Sequence, residues 1–115
     1  MDIEQMQEYC LSKPGVEECL PFGPDNLVFK VNGKMFLLAS LDAQPLRFNV
    51  KCDPEKALQL REEFAAVLPG YHMNKKYWNT IVVDGSISTK QLQSFIDDSY
   101  GLVAVKAKPK KKETN

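Results

Sequence analysis

Apolar residues recur along this chain with two different periods, and the changes from one to the other mark its elements. From Ile3 to Lys13 the apolar positions Ile3, Met6, Cys10 and Leu11 follow helical spacing. Asp2 suits the N-cap, and Glu4 and Glu8 suit the first turns, where the helix dipole favours negative charge. Pro14-Gly15 ends that helix, and residues 16–25, with Pro21-Phe22-Gly23-Pro24, read as an extended loop around a buried aromatic. The period then shortens. Leu27–Val31 and Lys34–Leu41 read as strands joined by Asn32-Gly33, the pair that a type I′ hairpin turn demands. Leu46–Lys51 alternates, with Leu46, Phe48 and Val50 on one face and Arg47, Asn49 and Lys51 on the other.

Asp53-Pro54 opens a second helix whose inner stripe is Ala57, Leu60, Phe64 and Ala65, and Pro69-Gly70 stops it. Short strand-like runs follow over 71–83, ending in the strand Trp78–Val83. Ser88 with Gln91 forms a capping-box pattern, with Ile87 and Leu92 as its hydrophobic staple. The third helix then turns Leu92, Phe95, Ile96 and Ser99 inward and reaches Gly101, a residue suited to the C′ position. The order is α-β(3)-α-β(2)-α. Hairpins with short turns and helices with single apolar stripes imply an α+β two-layer sandwich, an antiparallel sheet with helices on one face. One domain over 1–105 and a lysine-rich flexible tail over 106–115 account for the chain.

Composition narrows the function classes. At 115 residues and 43% hydrophobic content the chain fits one ordinary globular domain. The longest apolar run, Met35–Ala39, is too short for a bilayer, and the acidic N-terminus lacks the pattern of a signal peptide. The expected location is therefore cytoplasmic, with no membrane partner. Fifteen basic residues balance fifteen acidic ones, yet positions 1–105 carry ten against fourteen, a formal charge of −4. The tail lysines (Lys106, Lys108, Lys110, Lys111 and Lys112) read as a solvated end or as a basic arm for phosphate. Cys10, Cys19 and Cys52 are an odd, scattered set, so neither a disulfide framework nor a metal site is expected.

Catalytic signatures are sparse. His72 is the single histidine, and pairing it with Cys52 or Cys19 gives a conceivable thiol dyad without any supporting motif. Phosphate-loop and dinucleotide-binding glycine patterns are absent. The expectation is a non-enzymatic domain that needs no cofactor. A basic and aromatic constellation is more suggestive: Lys30, Arg47, Asn49 and Lys51 on outward strand positions, then Asn74-Lys75-Lys76-Tyr77-Trp78-Asn79. Lysine pairs with phosphate, Arg and Asn reach phosphate or base edges, and Trp stacks on unpaired bases. The plainer reading is a polar sheet face with Trp78 in the core.

With those residues in view, the sequence resembles the MmcQ/YjbR family of small bacterial proteins. The resemblance rests on an ordered set of segments across residues 14–106. These are Pro14-Gly15, Pro21-Phe22-Gly23-Pro24-Asp25, Val28-Phe29-Lys30-Val31 with Gly33-Lys34-Met35-Phe36, Lys51-Cys52, Gly70-Tyr71-His72-Met73-Asn74-Lys75-Lys76, Trp78-Asn79-Thr80 and Ser99-Tyr100. Tyr77 stands where family members often carry His. The resemblance implies a secretion-chaperone-like fold and a proposed role in DNA binding, with β-hairpins as a pair of wings. On that reading Lys30, Arg47, Lys51, Lys75, Lys76 and Asn79 form the binding face, with Trp78 nearby, and the resemblance implies no catalytic residues. The alternative is a protein-interaction module, offering an apolar patch or sheet edge to a protein partner or to a second copy in a homodimer.

Overall fold

The computed structural model describes residues 1–71 and 73–107. His72 and residues 108–115 of the lysine-rich tail, on which the acid–base and basic-arm expectations fall, lie outside the described residues. The elements run α1 (Ile3–Leu11), β1 (Val16–Cys19), β2 (Asn26–Val31), β3 (Lys34–Ser40), β4 (Arg47–Lys51), α2 (Pro54–Glu63), β5 (Val67–Pro69), β6 (Trp78–Val82) and α3 (Thr89–Ala107).

Local chemistry sets most of these boundaries. Asp2 accepts from the Gln5 backbone N–H at 2.8 Å, and the Gln5 side chain accepts from the Asp2 N–H at 3.0 Å, a full capping box. Asn32 and Gly33 both take positive φ, 54° and 78°, as the I′ hairpin requires. The Ser88 hydroxyl accepts from the Gln91 N–H at 3.1 Å and starts α3. Asp53 precedes Pro54 as expected, but its side chain makes no cap hydrogen bond.

Four expectations about the elements change. Residues 16–19 form an edge strand rather than a loop, because Val16–Cys19 pairs in full with Val28–Val31. Helix α2 stops at Glu63, and the strand expected beyond Gly70 lies before it, at Val67–Pro69. Helix α3 continues through Gly101 to Ala107, carried by Val103, which is buried in the core. Phe22 is not a core residue: it is 62% exposed on a loop.

All strand pairs are antiparallel, in the order β1-β2-β3-β4-β6-β5. Alternation sends Phe29, Leu37, Phe48 and Ile81 to one face, where they join Met6, Cys10, Ala57, Leu60, Leu92 and Ile96 from the helices in a single core. The expected two layers are thus observed, with all three helices contributing to one core and the second sheet face uncovered by helix.

A bulge breaks the regularity at one point. Phe29 pairs with Leu37 and Lys30 with Met35, so Phe36 has no partner on β2. The Ser99 hydroxyl of α3 fills the gap: it donates to the Phe36 carbonyl at 2.5 Å and accepts from the Lys51 N–H at 2.8 Å. Ser99 is fully buried. Ser99→Ala should leave both backbone groups unsatisfied and cost about 2–4 kcal/mol. Urea unfolding should therefore show a lower midpoint with an unchanged slope.

Candidate nucleic-acid interface

Pairing registers lay out the uncovered face as rows of side chains. The row nearest the β2–β3 turn holds Glu17, Lys30 and Met35, and beyond the bulge Lys51 across from Trp78. The central row is Cys19, Val28, Leu38, Asn49, Thr80 and Leu68, and the last is Asn26, Ser40, Arg47 and Val82. The Cys52 N–H donates to the Tyr77 carbonyl at 2.7 Å, which brings loop 74–77 to the same end as Lys51. Lys30, Lys34, Lys51, Lys75 and Lys76 thus gather at one end of the sheet.

The cations of the expected binding face do not line up as one continuous stripe. The central row is neutral, and Arg47 lies four residues from Lys51, about 13 Å along the strand. Asp25 and Asp42 line the groove that Asn26 and Ser40 of the Arg47 row also line. Lys30 stands directly opposite Glu17. The ion pairs among the described residues are Lys13–Asp97 at 2.5 Å and Lys56–Asp98 at 2.6 Å, so no described carboxylate is within 4 Å of the Lys75 or Lys76 ammonium.

Charge is also sorted between layers. Helices and their flanking turns carry ten carboxylates (Asp2, Glu4, Glu8, Asp53, Glu55, Glu62, Glu63, Asp84, Asp97 and Asp98) against Lys13, Lys56, Arg61 and Lys90. Strands and their loops carry Glu17, Glu18, Asp25 and Asp42 against Lys30, Lys34, Arg47, Lys51, Lys75 and Lys76. The acidic body therefore has a mildly basic sheet side.

Asn79 does not belong to the outward face. It is 1% exposed and paired with Val50 on the helix side, where its Oδ1 accepts from Arg61 Nε at 2.7 Å. Arg61 also donates to the backbone carbonyls of Lys75 and Trp78. This guanidinium holds loop 74–78 in place, and its sequence position on a polar helix face gave no sign of that role. Gly70 permits the close return of the chain, since a Cβ there would lie 2.8 Å from the Trp78 Cβ. Trp78 itself is half-buried beside Lys51.

Between Phe22 on one side and Tyr71 and Met73 on the other, the uncovered face forms a groove of about 530 Å³. Phe22, Met35, Leu38, Tyr71 and Met73 give it apolar walls, Asn26, Ser40 and Asn49 supply neutral polar groups, and Asp25 and Asp42 add two carboxylates on the side of the Arg47 row. Phe22 and Tyr71 are 62% and 67% exposed. Sequence reasoning missed this groove because it took Phe22 for core.

Burial disfavours the thiolate form of Cys10 and Cys52. Burial pushes the Cys10 thiol up to about 12, with Lys13 pulling weakly the other way. Burial also raises Cys52, again against a nearby lysine, Lys56. Cys52 lines a separate cleft of about 430 Å³ between α2 and α3, walled in part by the Lys56–Asp98 pair. Among the described residues no cluster of His, Cys, Asp and Glu fits a metal ion, and no helix is long and apolar enough to cross a membrane.

A family model described as YjbR matches residues 11–102. The chain belongs to the YjbR family. This YjbR-family chain is 43% identical over 101 residues to the uncharacterized protein YbdF of Escherichia coli O157:H7, covering 87% of the chain and 82% of the relative. It is 31% identical over 100 residues to the uncharacterized protein YjbR of Escherichia coli K12, covering 87% and 85%. Among solved structures, the DUF419-domain protein DR2400 of Deinococcus radiodurans superposes with a TM-score of 0.90 at 34% identity, covering 96% of this chain and 83% of that one. A Pseudomonas syringae protein follows at 0.78 and 27% identity, covering 90% and 99%.

Two outcomes check the site geometry. Asn79→Ala should cost about 2–3 kcal/mol by removing the acceptor of Arg61 Nε and leaving a hole in the buried face, while Lys75→Ala stays within about 0.5 kcal/mol, as read by urea unfolding. A thiol-reactive dye at pH 8 should label Cys19 in the native state, and Cys10 and Cys52 only after denaturation.

Proposed function

We propose that this protein is a non-catalytic nucleic-acid-binding domain that uses the uncovered sheet face, with phosphates held at its lysine-bearing end. The observation that carries the reading is the gathering of Lys51, Lys75 and Lys76 at the corner where Trp78 crosses β4, beside a groove flanked by exposed aromatics. Charge complementarity of this kind steers and holds a polyanion without reading sequence. Lys30 and Arg47 lie at the margins of the contact, and the helical layer, dense in carboxylates, faces away from it.

The exposure of Leu20, Phe22 and Tyr71 favours a second reading, a protein partner docked on the same face. Salt separates the two. Binding of labelled DNA should weaken with a log–log salt slope of roughly −2 to −4, whereas apolar docking changes little. The double variant Lys51→Glu/Lys75→Glu should lose at least tenfold in DNA affinity at low salt while circular dichroism stays unchanged. No binding at low salt, or binding indifferent to salt, overturns the nucleic-acid reading.

A further inference from the structure

Asn49 occupies the middle of the uncovered face, lines the groove, and is only 5% exposed. Its Oδ1 is taken: the Thr80 hydroxyl donates to it at 2.5 Å and in turn accepts the Tyr71 N–H at 2.9 Å. This relay fixes which end of the amide faces Thr80. Among the described residues nothing accepts from Asn49 Nδ2. Buried amide N–H groups in folded proteins are nearly always satisfied, and an orphaned one costs about 1–3 kcal/mol. An unspent donor on the floor of an aromatic-walled groove is complementary to a flat group that brings its own acceptor.

Resting on the nucleic-acid reading above, we infer that the bound strand is unpaired and that one of its bases enters this groove. There it lies against Phe22 and accepts a hydrogen bond from Asn49 Nδ2. Every nucleobase offers a ring nitrogen or carbonyl oxygen on its edge, so the slot selects for the unpaired state ahead of base identity. Duplex DNA keeps its bases stacked and cannot reach a side chain this deep without paying to unstack one. A groove of about 530 Å³ lies within the range of small-ligand sites and suits one nucleotide. Its Met35 wall lies in the row that holds Lys30 and adjoins Lys51, so a base in the slot leaves its flanking phosphates near the lysines.

Fluorescence anisotropy on the full chain tests this with three probes at one low salt concentration. They are a short thymidylate strand, the same strand annealed to its complement, and an abasic strand with equal phosphates. The thymidylate strand should bind about tenfold more tightly than either of the others, the scale of one base stack. Asn49→Ala should lose about three- to tenfold on thymidylate and little on the abasic strand. Phe22→Ala, at an exposed position that folding does not need, should show the same selective loss. Equal affinity for all three probes with a clear salt slope overturns the base slot and leaves phosphate binding standing. No binding to any probe overturns both.

Discussion

A single hydroxyl joins the two layers where the sheet departs from regularity. The bulge at Phe36 leaves one carbonyl on β3 and one N–H on β4 without ladder partners, and both are out of water. Ser99 answers both from α3. Its position on that helix fixes how α3 lies across β3 and β4, and its bond to the Lys51 N–H fixes where β4 ends. Cys52 and Tyr77 then extend the pairing by one step, which sets the 74–77 loop beside Lys51. The corner with the lysines and Trp78 follows from that chain of backbone bonds, with Arg61 clamping it from the helix side.

The same construction leaves one sheet face without a helical cover. Its central row is neutral and partly apolar, its aromatic rim is exposed, and cations collect at one end while carboxylates concentrate on the helices. The main hydrophobic cluster lies on the other face, where the helices pack. Surfaces that combine aromatic groups, a buried amide N–H without an acceptor among the described residues, and nearby lysines are costly to keep in water. The proposed role in holding an unpaired strand accounts for all of them together.

Much of the fold was legible because local chemistry and hydrophobic period agreed. The Asp2 N-cap, the Asn32-Gly33 turn and the alternation of Phe48 and Val50 each pointed to what the structure shows. The misses share a cause. Edge strand β1 carries two glutamates and owes its form to pairing with β2 rather than to its own propensity. Gly101 has no fixed meaning until one knows that Val103 still has a core to meet. Asn79 reads as outward beside Lys75 and Lys76, yet the strand pairing turns it inward to Arg61, 18 residues away in sequence. The groove was hidden for the same reason: Phe22 on its loop and Tyr71 after Gly70 meet only in three dimensions.

The uncovered sheet face as the binding surface is the claim on which the functional account stands. Amide chemical-shift mapping of the ¹⁵N-labelled protein, titrated with a short single-stranded oligonucleotide at low salt, reads that surface directly. The account predicts shifts at Leu38, Lys51, Tyr71 and the Trp78 indole, together with the Asn49 side-chain amide. Shifts confined to α1, α2 and the outer side of α3, with those groups unmoved, would contradict it.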